Sequence, residues 1–316
     1  MNPAPGLLAL TLLAASCSAG SDGAGGTVGG ASLNPQPSPS AAASPSLLPA
    51  SSGPSSTASE FLPDPDHPIP GHPATLAQAL ISTTEGLHRS IDAWTQLGDP
   101  SEGEPPEGLV LQALYQQRIT RFLARHTRLA ERTLPLLPAE LRRETRANTK
   151  AAAELFSIVR PISRPSRFRT GPPEPAGVLL GWFRKAERRF KVDWELLAAV
   201  MYVESKFGRV LSTSTAGAQG PMQFIASTWD AYGLGGDVHD PHDAIMGAAN
   251  YLHRSGAPGK DRQALYAYNH SWAYVNAVLR YTNQMRRDRR NYYGYYNWQV
   301  FVLTTSGDRR LTGPGL

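Results

Sequence analysis

Apolar residues recur at helical spacing through nearly all of residues 72–285, and one proline-rich stretch, "RPISRPSRFRTGPPEPAG" (160–177), interrupts them. That pattern restricts the chain to a mainly α fold. Before the break, Leu80, Leu87, Ile91 and Trp94 line one helical face, and "GDPSEGEPPEG" then ends that helix. Leu111, Tyr115, Ile119 and Phe122 mark a second helix, and Leu141, Ala152, Leu155 and Val159 a third. After the break the period resumes at Val178. The tail "YYGYYNWQVFVLTTSGDRRLTG" is aromatic and β-branched and predicts a short closing β-hairpin. Tyr292, Tyr293, Tyr295, Tyr296 and Trp298 are expected on its packed face.

The first 70 of the 316 residues differ in kind. They hold no Lys or Arg and four acids, Asp22, Glu60, Asp64 and Asp66, so the rest carries 31 basic against 22 acidic residues, or +9. A basic body implies an anionic partner. "GLLALTLLAASC" has signal-peptide length and is too short for a permanent membrane span. It ends at Cys17, the only cysteine, which cannot form an internal disulfide. The run resembles a bacterial lipoprotein signal with Cys17 lipidated; the alternative is an ordinary secretory signal. Either exports the protein, which argues against nucleic acid as the partner. The Gly, Ser, Ala and Pro that follow offer too little apolar surface to offset ordering entropy, so a tether is expected.

The expected organisation is therefore a signal over 1–17 and a tether over 18–70. A helical region of open role covers 72–160, a linker 161–177, and a catalytic domain 178–310.

Chemistry concentrates around "AVMYVESKFG" (199–208). Asp193 is a natural N-cap, with Glu195 in the first turn. Leu196, Leu197, Val200 and Met201 form a buried stripe, and Glu204 falls on that stripe rather than on the polar face. Apolar walls raise a carboxyl pKa. At about 4.3 a Glu is protonated in roughly one molecule in five hundred at pH 7, and near 6 in about one in ten. That shift costs about 2.3 kcal/mol, which a stable domain tolerates. A partly buried Glu204 is thus a candidate general acid. Downstream, Gly217 and Gly220 let backbone approach a ligand, and the Gln223 amide both donates and accepts. Tyr268, Asn269 and His270 add the amides and aromatic faces that a sugar groove needs.

"VESKFG", "STAGAQGPMQFIASTW", "DPHDAIMGAANYLHRSG" and "ALYAYNHS" together resemble the lytic transglycosylases, most of all the membrane-bound B type, over residues 178–285. The resemblance implies a lysozyme-like catalytic domain acting on peptidoglycan glycan strands without a cofactor. It implies Glu204 as the single acid/base. Its substrate-binding set is Ser205, Ser214, Gly217, Gly220, Met222, Gln223, Tyr268 and Asn269, with Ser214 hydrogen-bonding near the reacting sugar. Ala226 stands where proline is common.

Three functions stay open: the transglycosylase, a hydrolytic muramidase using Glu204 with Asp230, Asp237 or Asp243 as a second carboxylate, and a silent wall-binding scaffold. "GGDVHDPHDAI" lacks the order of a calcium loop, so Asp240, Pro241 and Asp243 read as a helix start and no metal is expected. "RRDRR" (286–290) fits an anionic surface or a solvated helix end.

Overall fold

The computed structural model describes residues 62–163 and 168–316; Cys17 and most of the expected tether lie outside the described residues. Eleven helices and one hairpin follow in chain order: α1 (Pro73–Leu97), α2 (Glu107–Arg125), α3 (Thr127–Thr133), α4 (Ala139–Phe156), α5 (Ala176–Phe190), α6 (Trp194–Ser205), α7 (Ala226–Tyr232), α8 (Pro241–Arg254), α9 (Asp261–Tyr268), α10 (Trp272–Arg287), α11 (Arg290–Tyr296), β1 (Phe301–Thr304) and β2 (Gly307–Arg310). A single 3-10 turn, Leu134–Leu136, joins α3 to α4. β1 and β2 pair antiparallel, with Phe301 opposite Arg310 and Thr304 opposite Gly307. This mainly α architecture with a small hairpin is that of a lysozyme-like domain.

α6 lies at the centre. Ten of its residues, Leu196 through Ser205, are buried, so the helix is enclosed on every side and not along one stripe. Its sequence explains this: Ala198, Ala199, Tyr202 and Val203 make the face opposite the stripe apolar as well. The enclosing core takes Leu87, Ile91 and Trp94 from α1, Leu109 from α2 and Leu155 from α4, together with α5, α8, α9, α10 and α11. The helices before the proline-rich break thus share one core with those after it. α4 packs along α10, and the Gln284 side chain on α10 donates to the Glu144 carbonyl oxygen (3.3 Å). A second cluster closes the other end of the α1–α2 pair through Leu76, Leu80, Ile119 and Leu123. The proline-rich stretch is tied at both ends. Ile162 N–H donates to Leu303 O (2.9 Å), and Gly171 and Leu211 bond Arg209 and Arg169 across a bridge (3.0 Å each).

Three expectations change. The tyrosines of the tail sit on a helix, α11, because Tyr292, Tyr295 and Tyr296 share a helical face that the core covers. Their hydroxyls donate to Ala176 O (2.7 Å), Asn148 Oδ1 (2.7 Å) and Glu174 O (3.0 Å), contacts that outweigh β-propensity. Asp193 occupies the N-cap position of α6 without a capping bond, its carboxylate pairing with Arg286 instead. That pair and Arg290–Asp92 (2.9 Å) commit half of the basic "RRDRR" run to packing. α4 ends at Phe156, before Val159. No helix among the described residues is long and apolar enough to cross a membrane.

Candidate active site

α6 ends abruptly at the site. Lys206, Phe207 and Gly208 all take left-handed backbone (φ 54°, 60° and 89°), which turns the chain within three residues. For the two non-glycines this costs about 1–3 kcal/mol each, so the surroundings must enforce it. Ser205 does so: its hydroxyl accepts Gly208 N–H (2.8 Å) and donates to Pro221 O (2.5 Å). Ser205 is fully buried and both bonds are internal. The residue therefore fastens the turn to the glycine-rich loop and offers no surface to a sugar.

The loop over 212–224 is built the same way. Ser214 Oγ accepts from Ala218 N (2.8 Å) and Ala216 N (3.2 Å), shaping a turn whose exposed tip is Gly217 (φ 84°). Gln219 and Phe224 exchange two backbone bonds (2.9 Å each) beneath Gly220, Pro221, Met222 and Gln223. Gln223 is also left-handed (φ 52°), and its Nε2 donates to Gly220 O (2.9 Å). The Met222 side chain is buried in the core, and its carbonyl oxygen accepts the Tyr268 hydroxyl (2.6 Å). Tyr268 is fully buried, so it and Met222 support the loop from beneath.

Gly220 shows why this loop needs glycine. Its φ is 72°, and a Cβ there would lie 1.9 Å from the Val238 carbonyl oxygen, whereas one at Gly217 would meet nothing within 4 Å. Gly217→Ala is expected to cost about 1 kcal/mol of backbone strain. Gly220→Ala should cost about 2 kcal/mol more, because backbone must move. Denaturant unfolding of the two variants checks this; equal stabilities would mean that the Val238 contact is not held in solution.

Glu204 projects from the last turn of α6 and is 3% exposed. Burial raises its pKa to about 8, with the Tyr274 hydroxyl and the Lys206 charge pulling the other way. Tyr274 bears on the carboxyl without a well-formed hydrogen bond: Glu204 Oε1 and Tyr274 Oη are both buried without a partner, as is Asn269 Nδ2. Both the Tyr268 and Tyr274 hydroxyls are pushed well above their usual range, first by burial and then by the Glu204 charge. Two hydroxyls, Tyr268 of α9 and Tyr274 of α10, thus lie within the field of one carboxyl from α6. Asn269 follows Tyr268 at the end of α9 and is 4% exposed. His270 lies outside this group, exposed and edge-on to Tyr266.

Two neighbours of Glu204 were not legible in the sequence. Tyr274 sits six residues past Tyr268, in the first turn of α10, where Ser271 caps the helix by accepting Tyr274 N–H (3.3 Å). Only the α9–α10 turn brings it to the carboxyl. Lys206 is buried, donating to Tyr202 O (3.0 Å) with its ammonium 4.1 Å from the Tyr202 ring. Burial and the Arg121 charge lower its pKa to about 7. A small apolar cavity, about 40 Å³, lies between Lys206, Tyr202 and Arg121, and Glu204 is not among its lining residues.

Asp240, His242 and Asp243 bring potential metal-ligand atoms within 4.8 Å. Asp240 Oδ1 accepts Asp243 N–H (2.9 Å) as the N-cap of α8, and Asp243 Oδ2 accepts Asp237 N–H (3.1 Å). His242 Nε2 faces the Lys185 ammonium at 3.0 Å, a charge that opposes a cation. The cluster is a helix start, as Asp240 and Pro241 predict.

The fold is thus mainly α and lysozyme-like, with Glu204 the buried glutamic acid among the described residues. Residues 181–291 match the transglycosylase SLT domain. Over 106 residues the chain is 33% identical to membrane-bound lytic murein transglycosylase F of Thiobacillus denitrificans, covering 31% of this chain and 22% of that protein. The protein of the same name from Erwinia tasmaniensis is 34% identical over 106 residues (31% and 21%), and that of Pseudomonas fluorescens 40% over 70 residues (22% and 14%). The chain thus spans about a fifth of the length of the first two relatives. These relatives carry the F designation, not the B type suggested by the motifs. No solved structure matches the chain.

Proposed function

We propose that this protein cleaves the β-1,4 bond between N-acetylmuramic acid and N-acetylglucosamine in peptidoglycan, leaving 1,6-anhydromuramyl ends. The observation that carries this reading is the Glu204 carboxyl, buried, unpartnered at Oε1 and raised to about pKa 8 within the matched segment. Such a group holds its proton at neutral pH and can hand it to the glycosidic oxygen. The bond from that oxygen to the muramyl anomeric carbon breaks, and the substrate's own N-acetyl group stabilises the positive centre. Glu204, now a carboxylate, takes the proton of the muramyl 6-hydroxyl as that oxygen attacks the anomeric carbon. The cycle closes with Glu204 protonated again.

Most glycosidases use two carboxylates. Here the charged neighbour that bears on Glu204 is Lys206, and Asp237 and Asp243 are engaged at the start of α8. Both facts favour the single-carboxylate route. Ser214, Gly217, Gly220, Gln223 and Asn269 line or shape the groove in this reading. Ser205, Met222 and Tyr268 hold it in place.

Digesting purified peptidoglycan and weighing the fragments tests the reaction. Anhydro ends are the expected product. Reducing ends would replace the transglycosylase by a hydrolase, and sacculus binding without any fragment would leave a scaffold. The relatives' names call them membrane-bound, and an envelope location with Cys17 lipidated is proposed for this chain too. Cys17→Ser should then release the protein from the membrane fraction; unchanged sedimentation with membranes would remove the anchor.

A further inference from the structure

A second site lies on the far side of α2, where a cavity of about 300 Å³ opens between that helix, the hairpin and the segment before α1. Arg118, Arg121 and Arg125 line one face of α2 at helical spacing, and Arg310 on β2 closes the cavity opposite them. A helix face this basic normally meets water. Here it meets a walled cleft with two carboxylates, Asp66 and Asp308.

The two carboxylates serve the four guanidinium groups unequally. Asp308 takes both Arg121 (2.8 Å) and Arg125 (2.6 Å). Burial alone would raise its pKa, yet the hydrogen bond and charge of Arg125 and the charge of Arg121 bring it below the usual value. Arg118 instead donates to the carbonyl oxygens of Pro65 (3.1 Å) and His67 (2.8 Å), which satisfy N–H groups without offsetting charge. Arg310 donates to Pro314 O and meets Asp66 only at 3.6 Å, with the Asp66 side chain 84% exposed. The Arg310 side chain itself is 8% exposed. Arg118 is pushed below its ordinary pKa, chiefly by burial, and the Arg310 charge pushes the same way against Asp66. Four arginines against two aspartates leave a surplus of two positive charges in one open cleft.

We propose that this arginine cleft binds a phosphate monoester group. Guanidinium forks match phosphate oxygens, and a monoester carries about −1.5 to −2 charge at pH 7, close to the surplus, whereas a diester carries about half of it. None of the residues lining the cleft is among those placed around Glu204, and the proposal stands independently of the proposed cleavage.

Calorimetric titration of the full chain with inorganic phosphate tests it. Saturable one-site binding is expected, weakened by added salt. Arg118→Gln should weaken it at least about tenfold, or about 1.4 kcal/mol. Asp66→Asn should tighten it about threefold, a gain that no folding defect can imitate. Peptidoglycan cleavage should be unchanged in both variants, which separates this site from the catalytic reading. Vesicles containing phosphatidic acid give the second arm. Arg118-dependent vesicle binding displaced by free phosphate would name a lipid headgroup, and binding of free phosphate alone a soluble phosphorylated compound. No saturable binding of phosphate, or equal affinity in all three proteins, would overturn the proposal.

Discussion

Glu204→Gln is expected to lower peptidoglycan cleavage by about three orders of magnitude or more while the protein remains folded. General acid or base catalysis contributes about 10²–10⁴-fold, and Glu204 serves in both roles within one turnover. Gln keeps the size of the side chain, so the packing of α6 against its neighbours is retained. It has no proton to give to the glycosidic oxygen and no basic oxygen to accept one from the 6-hydroxyl. Among the described residues the charged group that bears on this carboxyl is Lys206, a cation and not a second acid. Affinity for intact sacculi should stay near the wild-type value, since the loop over 212–224 is held by Ser205, Tyr268 and its own backbone bonds. Fragment release measured at matched protein concentration decides the matter. A variant that still cleaves within tenfold of wild type would move the chemistry to another residue.

How much of this was open to sequence reasoning depends on whether the cause is local. Helical period is local, so α1, α2, α4 and the helical run from α5 to α10 could be read directly. The acid at position 204 was visible because a carboxyl within a continuous apolar run is a local contradiction. What the sequence hid is tertiary. Tyr292, Tyr295 and Tyr296 have the composition of a strand, and only the core around α6 makes them a helix. Gly220 could be marked as a loop glycine, yet the carbonyl that requires it belongs to Val238, eighteen positions on in the chain. The resemblance implied Ser205 as a sugar contact; its hydroxyl is already spent on Gly208 and Pro221. Tyr274 reaches Glu204 only through the turn between α9 and α10. The same reasoning applies to the arginines of α2. In sequence they resemble a solvated face, and the hairpin that encloses them comes 170 and more positions later.

The proton on Glu204 should also be measurable as a loss of stability. Its folded pKa, about 8, exceeds the ordinary value of 4.5, so the folded state holds the proton more tightly than the unfolded chain. The contribution is therefore fully present below pH 4.5 and is lost as pH rises through about 8. At pH 7 the loss is about 3 kcal/mol, and above pH 8 about 5 kcal/mol. Gln is neutral throughout and escapes it. Glu204→Gln should thus be the more stable protein by about 3 kcal/mol at pH 7, with the gain shrinking toward zero near pH 4.5. Glu144, raised to about 7 by burial, adds a loss of the same sign, and Lys206, lowered to about 7, one of the opposite sign. Glu144 titrates in wild type and variant alike, whereas Lys206 loses the Glu204 charge in the variant, so the difference between the two unfolding curves reports Glu204 together with its coupling to Lys206. Urea unfolding of both proteins between pH 4.5 and 8.5 supplies that difference. A gap that does not widen with pH would show that position 204 carries no raised pKa, and a donor ionised at neutrality could not begin the reaction proposed for it.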